Sequence, residues 1–343
     1  MPKEENLFKN IHSKSNNHFM LWFIIFSVLC CVISLFSLTY GSFDTGIPDV
    51  LSALFEYNDE NILHKIILNG RIPRVISAML VGAALGVSGA IMQALTNNPL
   101  ASPSTLGVTS GSMLLLVIMT VFFSSLGSVW LTLFAIIGSG LSSIAIFAMA
   151  RILQKNITPA ILALIGIALS TIISSLATYI GYATGSSQDV ASWLASGISK
   201  VTLDQMLVAS PFIILGLFLA VINAKSFTLI SLGEETAIAL GKNISYIRNT
   251  GILITVILVG AAIPLAGSLM FVGIIIPHTS KIIVGSDYRK IIPFSVVFGA
   301  FFILLCDFLA RVINYPYEFP LGTIVTFIGA PFFIWVVQKG NKL

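Results

Sequence analysis

The sequence predicts an all-α, polytopic membrane protein of about ten transmembrane helices. Three observations predict it. Of the 343 residues, 56% are apolar and 9% charged, with a mean hydropathy of +0.98; soluble domains carry roughly 25% charged residues. Charge-free apolar stretches recur at about the 20-residue length that lets a helix cross a ~30 Å hydrocarbon core. The positive residues, which give a net charge of +4, sit mostly in tails and connections. That placement suits membrane orientation rather than nucleic-acid binding.

Taken in order, residues 1–18 form a polar tail on the cytoplasmic side with Lys3, Lys9 and Lys14, and apolar residues follow from 19 to 38. That apolar run is too long for a signal peptide and has no small-residue cleavage site, so it reads as the first span. Residues 19–340 read as one transmembrane domain. The spans fall near 20–40, 73–96, 105–126, 130–151, 159–183, 205–224, 249–266, 268–283, 292–312 and 321–337, the eighth being short. With the N-terminus inside, 13 of the 18 Lys and Arg residues lie inside and 5 outside. The outer five are Lys65, Arg71, Arg74, Lys200 and Arg311. The bias places both termini inside and requires an even number of spans.

The second span organises the chain. Val75 to Thr96 carries no charge, ends at Asn97-Asn98-Pro99, and gives way to a Gly/Ser/Thr-rich segment. A polar break of this kind must lie at a membrane face, in a cavity or inside protein. The same stretch carries an internal repeat. Residues 81–102 align without gaps with 259–280 at an offset of 178, with 8 identities in 22 positions. Spans two and seven are an odd number apart and cross in opposite directions, so spans 2–5 and 7–10 form an inverted repeat. Many transporters carry such repeats, with the pathway at the repeat interface. Small residues at helical spacing, among them Gly82, Gly86 and Gly260, let membrane helices pack closely.

Four features bear on function. Arg71 and Arg74 flank Pro73 at the outer side, against the charge bias and at a helix start, where the macrodipole disfavours cations. They serve either as snorkelling side chains on lipid phosphate or as a docking site for an acidic partner. Arg311 is the third outer arginine, and an i,i+4 pair with Asp307 is equally open to it. The loop 225–248 is the longest cytoplasmic connection. Within it Leu232-Gly233-Glu234-Glu235 starts a short helix, Ala237, Leu240 and Ile244 share a face, and Gly241 stops it. Such a helix suits a groove on a partner or lies on the bilayer. Charge inside the spans is nearly absent, Asp307 being the one carboxylate, whereas ion-coupled carriers place acidic groups at mid-membrane. The neutral pathway candidates are Ser88, Gln93, Asn97, Asn98, Thr105, Thr109 and Ser110. Finally, several chemistries are excluded. ALGKN at 239–243 lacks the first glycine and the hydroxyl residue of a phosphate-binding loop, so ATP-driven transport needs a separate ATPase. There is no paired carboxylate, HExxH or Ser/His/Asp arrangement. Cys30, Cys31 and Cys306 form no disulfide framework, and His278 has no second metal ligand at the right spacing. No cofactor is called for.

These segments resemble the FecCD-type permease subunits of ABC importers for iron–siderophore complexes, haem and vitamin B12. The resemblance rests on RIPR (71–74), SGAIMQALTNNPLASPSTLGVTSG (88–111), LGEE…A…LG (232–241), FVGIIIPH (271–278), CDFLAR (306–311) and EFPLGTIVTFIGAPFFIW (318–335), in order and over about residues 20–340. It implies a ten-helix, type II importer permease in the bacterial cytoplasmic membrane, paired with a copy of itself or with a paralogue. It implies two cytoplasmic ATP-binding subunits and an extracytoplasmic substrate-binding protein. It gives Arg71, Arg74 and Arg311 to the binding protein, and Leu232, Gly233, Glu234, Glu235, Ala237, Leu240 and Gly241 to the ATPase. It sets the cytoplasmic gate near Thr158, where Pro159 and Ala160 depart from the family's small hydroxyl residues. The cargo it implies is a ferric siderophore or haem, with cobalamin as the alternative. An ion-coupled secondary carrier is the alternative from a different class.

Overall fold

The computed structural model of the chain describes residues 2–40, 45–123, 125–153, 159–186, 188, 197–315 and 317–340. Among them every regular element is helical. The first repeat comprises α4 (Ile72–Thr96), α5 (Val108–Phe122), α6 (Ser128–Leu153) and α7 (Pro159–Ala183). The second comprises α10 (Ile244–Ala266), α11 (Val272–Val284), α12 (Tyr288–Val312) and α13 (Leu321–Gly340). Outside them lie α1 (Pro2–Thr39), α2 (Ile47–Phe55), α3 (Ile62–Ile66), α8 (Leu203–Ser231) and the short α9 (Glu234–Ala239). Seven helices are long and apolar enough to cross a membrane, and three shorter apolar helices (α5, α11 and 321–336 of α13) stand where the sequence sets spans three, eight and ten.

α4 occupies the centre. Every residue from Val81 to Leu95 is buried, because Gly82, Ala83, Ala84, Gly86, Ser88, Gly89 and Ala90 leave room for neighbours on all sides. Two approaches are backbone against backbone. A methyl on Gly82 would lie 2.0 Å from the carbonyl oxygen of Gly299 in α12, and one on Gly89 would lie 2.1 Å from that of Gly273 in α11. The second repeat mirrors the first: Gly260 of α10 sits against Ile136 of α6, 2.5 Å from its Cα to a built methyl. First helix meets third helix of the other repeat in both halves. At the offset of 178 that pairs Gly82 with Gly260 the register is therefore structural. It fails further on: α4 runs to Thr96, whereas α10 stops at Ala266. Pro99 consequently lies in a connection and Pro277 inside α11, so those later identities do not mark equivalent places.

Four boundaries differ from the sequence reading. α1 is one 38-residue helix from Pro2, since residues 3–18 contain no glycine or proline to stop it; its apolar, span-forming part is His18–Thr39. The second span is a continuous helix from Ile62, so Pro73 lies inside it and not at its start. A π-turn at Ile67–Arg71, where Ile72 N–H reaches back to the Ile67 carbonyl, carries the chain past the proline. α8 continues through Lys225 to Ser231, because Phe227 and Ile230 are buried, and α10 begins at Ile244, which leaves only 232–243 between them. The break after α4 is partly open: Asn97, which ends the helix at φ 47°, and Pro99 are exposed, whereas Ala101 and Ser102 are buried, and Ser102 and Thr105 satisfy one another's backbone and hydroxyl groups.

Peripheral ties are local. α1 leans on α12 through Phe26, whose ring meets Phe294, Phe298 and Phe301 at 4.9–5.7 Å. His64 joins α2 to α3, with Nδ1 accepting the Asn58 N–H at 3.0 Å and Nε2 facing Ser52 Oγ at 3.1 Å. Asp287 caps α12 and accepts the Thr228 hydroxyl at 3.1 Å. Partial burial works against that carboxylate, but bonds from Arg289 and Thr228 outweigh it and lower its pKa. The tie is therefore whole at neutral pH and is lost only in acid, as pH falls through that lowered value.

Replacing Gly82 or Gly89 with valine forces two backbones apart, because the atoms in the way cannot turn aside. Thermal unfolding in detergent should show a loss of more than ~3 kcal/mol or no folded protein. Gly127→Ala, with nothing within 4 Å, should leave the transition unchanged.

Candidate functional site

Three places gather the residues that the sequence singled out. At one end of the bundle the arginines converge. Arg71 donates to the carbonyls of Leu38 (2.6 Å) and Thr39 (2.9 Å) and to the Thr45 hydroxyl. Arg311 donates to the carbonyls of Ser37 (3.0 Å) and Tyr40 (3.3 Å) and to the Ser37 hydroxyl. These carbonyls are the ones that the end of α1 leaves without helical partners. Two guanidiniums thus cap α1, where the helix dipole favours cations. Arg71, which the sequence set at a helix start, thus meets a helix end.

Asp307 binds the group together. It is 1% exposed, takes Arg74 through Nε at 3.0 and 3.2 Å, and takes Arg311 one turn along α12 at 3.1 Å. Arg74 also reaches Glu318 at 2.9 Å, whose side chain is 40% exposed. All three arginines are therefore engaged within the chain. Arg71 and Arg311 are buried, and the Arg74–Glu318 pair is the one that faces outward.

At the opposite end, Gly233 at φ +111° and Gly241 at φ +72° bracket α9, as glycine alone readily does. The face expected of this helix is not the one formed. Ala237 is fully buried, whereas Leu240 lies beyond the helix, exposed beside Leu232 and Ile238. Gly241 stops the helix as expected, its N–H reaching the Ile238 carbonyl at 2.8 Å while the Lys242 N–H reaches that of Ala237 at 3.0 Å. Glu234 pairs with Arg248 of α10, and Glu235 is exposed.

The pathway candidates are not brought together. Gln93 is buried in α4 with neither amide atom hydrogen-bonded, and Thr109 is buried near the start of α5. Asn98 turns the connection, accepting the Leu100 N–H at 2.9 Å, and Asn97 donates to the Ile230 carbonyl at 3.4 Å. Thr158 lies outside the described residues. Two cavities exist instead. One of about 570 Å³ lies between α4, α6 and α10, with Asn97 at its wall. The other, an open groove of about 800 Å³, runs along α7. Ser170, Thr171, Ser174, Ser175, Thr178, Tyr179 and Tyr182 line it, with Ser104 and Thr105 opposite. The sequence reading missed this stripe. Its signal was hydroxyls three and four residues apart on a span only 17% buried within the chain. No cluster of three metal-ligating side chains occurs among the described residues.

The FecCD transport family model matches residues 29–339. The chain belongs to the FecCD transport family. It is 36% identical over 305 residues to the iron-uptake system permease protein FeuB of Bacillus subtilis, covering 89% of this chain and 91% of that one. It is 39% identical over 317 residues to the iron(3+)-hydroxamate import system permease protein FhuB of the same organism, with coverages of 92% and 82%. The hemin transport system permease protein HmuU of Yersinia pestis is 31% identical over 329 residues, with coverages of 94% and 96%. Among solved structures, an inward-facing metal-chelate type ABC transporter superimposes with a TM-score of 0.80 at 26% identity, covering 92% of this chain and 98% of that one. As a FecCD protein the chain is a multi-pass membrane permease of the ABC importer class.

Asp307→Asn leaves Arg311 without its counter-ion and Arg74 with Glu318 alone, and should cost ~3–5 kcal/mol in unfolding free energy. Glu318→Gln, at the exposed end of the same network, should cost under ~1 kcal/mol.

Proposed function

We propose that this chain is the membrane-spanning subunit of an ATP-binding-cassette importer that moves a ferric chelate, of the siderophore or haem kind, across the bacterial cytoplasmic membrane. The observation that carries the reading is the α7 groove. It is wide, uncharged and rich in hydroxyls, on a helix that the rest of the chain leaves uncovered. A second permease, a copy or a paralogue, facing this groove would enclose a path with α7 from each side. A neutral polar wall offers hydrogen bonds to a large chelate without holding it by charge. The named cargoes of the relatives, iron–hydroxamate and hemin, fit such a path.

Power and cargo recognition come from other proteins in this reading. The exposed Leu232, Ile238 and Leu240 suit an apolar groove on a cytoplasmic ATPase. Helix α9 is joined to α10 through Glu234 and Arg248, so a push on it reaches a helix packed against α4. Both termini then face the cytoplasm, as the positive-residue bias requires. The arginine end faces out. There Arg74 and its partner Glu318 offer the most accessible charge to carboxylates of a binding protein, with Arg71 and Arg311 holding the platform.

The chain reconstituted with its ATPase, a partner permease and the binding protein should take up ferric siderophore only when ATP is supplied. Uptake by the chain alone against a gradient would overturn the reading. Ser174→Leu with Thr178→Leu should cut uptake at least about tenfold while leaving thermal unfolding and ATPase assembly unchanged. Full uptake by that double variant would remove α7 from the path.

A further inference from the structure

The 570 Å³ cavity between α4, α6 and α10 is graded along its length. Its deep end is closed by aliphatic groups such as Met92 and Val256, and its mouth is polar, with Asn97, Asn249, Glu234 and Arg248. Among the described lining residues the one cation is Arg248, and it is 40% exposed. The side wall is open to the bilayer: Ile144 of α6 and Leu253 of α10 line the cavity and are 67% and 56% exposed. In a spanning segment such exposed aliphatic side chains meet acyl chains. Gly140, on the same face of α6, leaves the slot between the helices unfilled; a methyl there would sit 3.6 Å from Val256.

We propose that this cavity binds one anionic phospholipid from the surrounding leaflet. An acyl chain fills the aliphatic depth and the phosphate rests on Arg248 at the mouth. The continuity of the cavity wall with the lipid-facing surface names the source, and Arg248 names the headgroup charge. Apolar depth gives the affinity and the one charge-assisted bond gives the selectivity. Glu234 competes for the same guanidinium. A bound headgroup therefore loosens the Glu234–Arg248 pair, and the lipid acts directly on the start of α9. The inference stands on the cavity alone and does not depend on which cargo the chain carries.

The test is native mass spectrometry of the full chain in detergent, titrated with dioleoylphosphatidylglycerol or dioleoylphosphatidylcholine. One phosphatidylglycerol per chain should be retained, and more tightly than phosphatidylcholine. Arg248→Gln should weaken phosphatidylglycerol about tenfold and leave phosphatidylcholine unchanged. Glu234→Gln should tighten phosphatidylglycerol. Gly140→Leu, which fills the slot by ordinary contact, should lower both. Equal retention of phosphatidylglycerol by the wild-type chain, Arg248→Gln and Gly140→Leu overturns the proposal, and so does equal retention of the two lipids by the wild-type chain.

Discussion

A helix surrounded on every side has to be thin, and that constraint shapes the rest of the molecule. In a bilayer, apolar side chains gain nothing by leaving lipid for protein, so helices associate through close contact. α4 meets this condition with glycine, alanine and serine through its middle, and its neighbours answer with glycines of their own at Gly299 and Gly273. Exposed leucine, isoleucine and phenylalanine lie instead on the outer faces of the peripheral helices, among them α1, α6, α8 and α13. Core and lipid-facing surface are thus distinguished by side-chain size rather than by hydrophobicity.

The charges obey a different economy. Asp307, Arg74 and Arg311 would each be costly alone at a membrane boundary. Together with the spare carbonyls of α1 they form a closed set in which nearly every donor has an acceptor. One buried carboxylate serves two guanidiniums, and the second carboxylate, Glu318, sits where water reaches it. The arginine end is therefore tied where it joins α1, α4 and α12, and its exposed member is Glu318.

Much of this was legible from residue order. Apolar run lengths set ten spans, and the offset repeat of 178 found the two glycines that cross the other half of the molecule. Its later identities misled, because two helices of the same origin stop at different points. Arg71 and Arg74 read as misplaced because their partners are remote: Leu38, Thr39 and Asp307 are brought to them only by the fold, whereas the i,i+4 pair of Arg311 with Asp307 was open to the sequence. Gly241 stopped α9 where the sequence set it, but Leu240 is exposed while Ala237 is buried, because only one side of so short a helix meets the chain. The α7 groove was written in the sequence as a stripe of hydroxyls, yet a polar stripe on a single span has no meaning until burial shows how little of it the described residues cover. Gln93 and Thr109, singled out as polar residues in apolar runs, are buried in helix packing.

The π-turn at Ile67–Arg71 has a geometric consequence. An α-helix advances about 100° per residue, so the surplus residue works as an angular spacer between α3 and α4. It lets His64 look toward α2 while Arg71, two turns on, looks toward the end of α1. Insertions or deletions in this short stretch would rotate the arginine end against the core like a misaligned key.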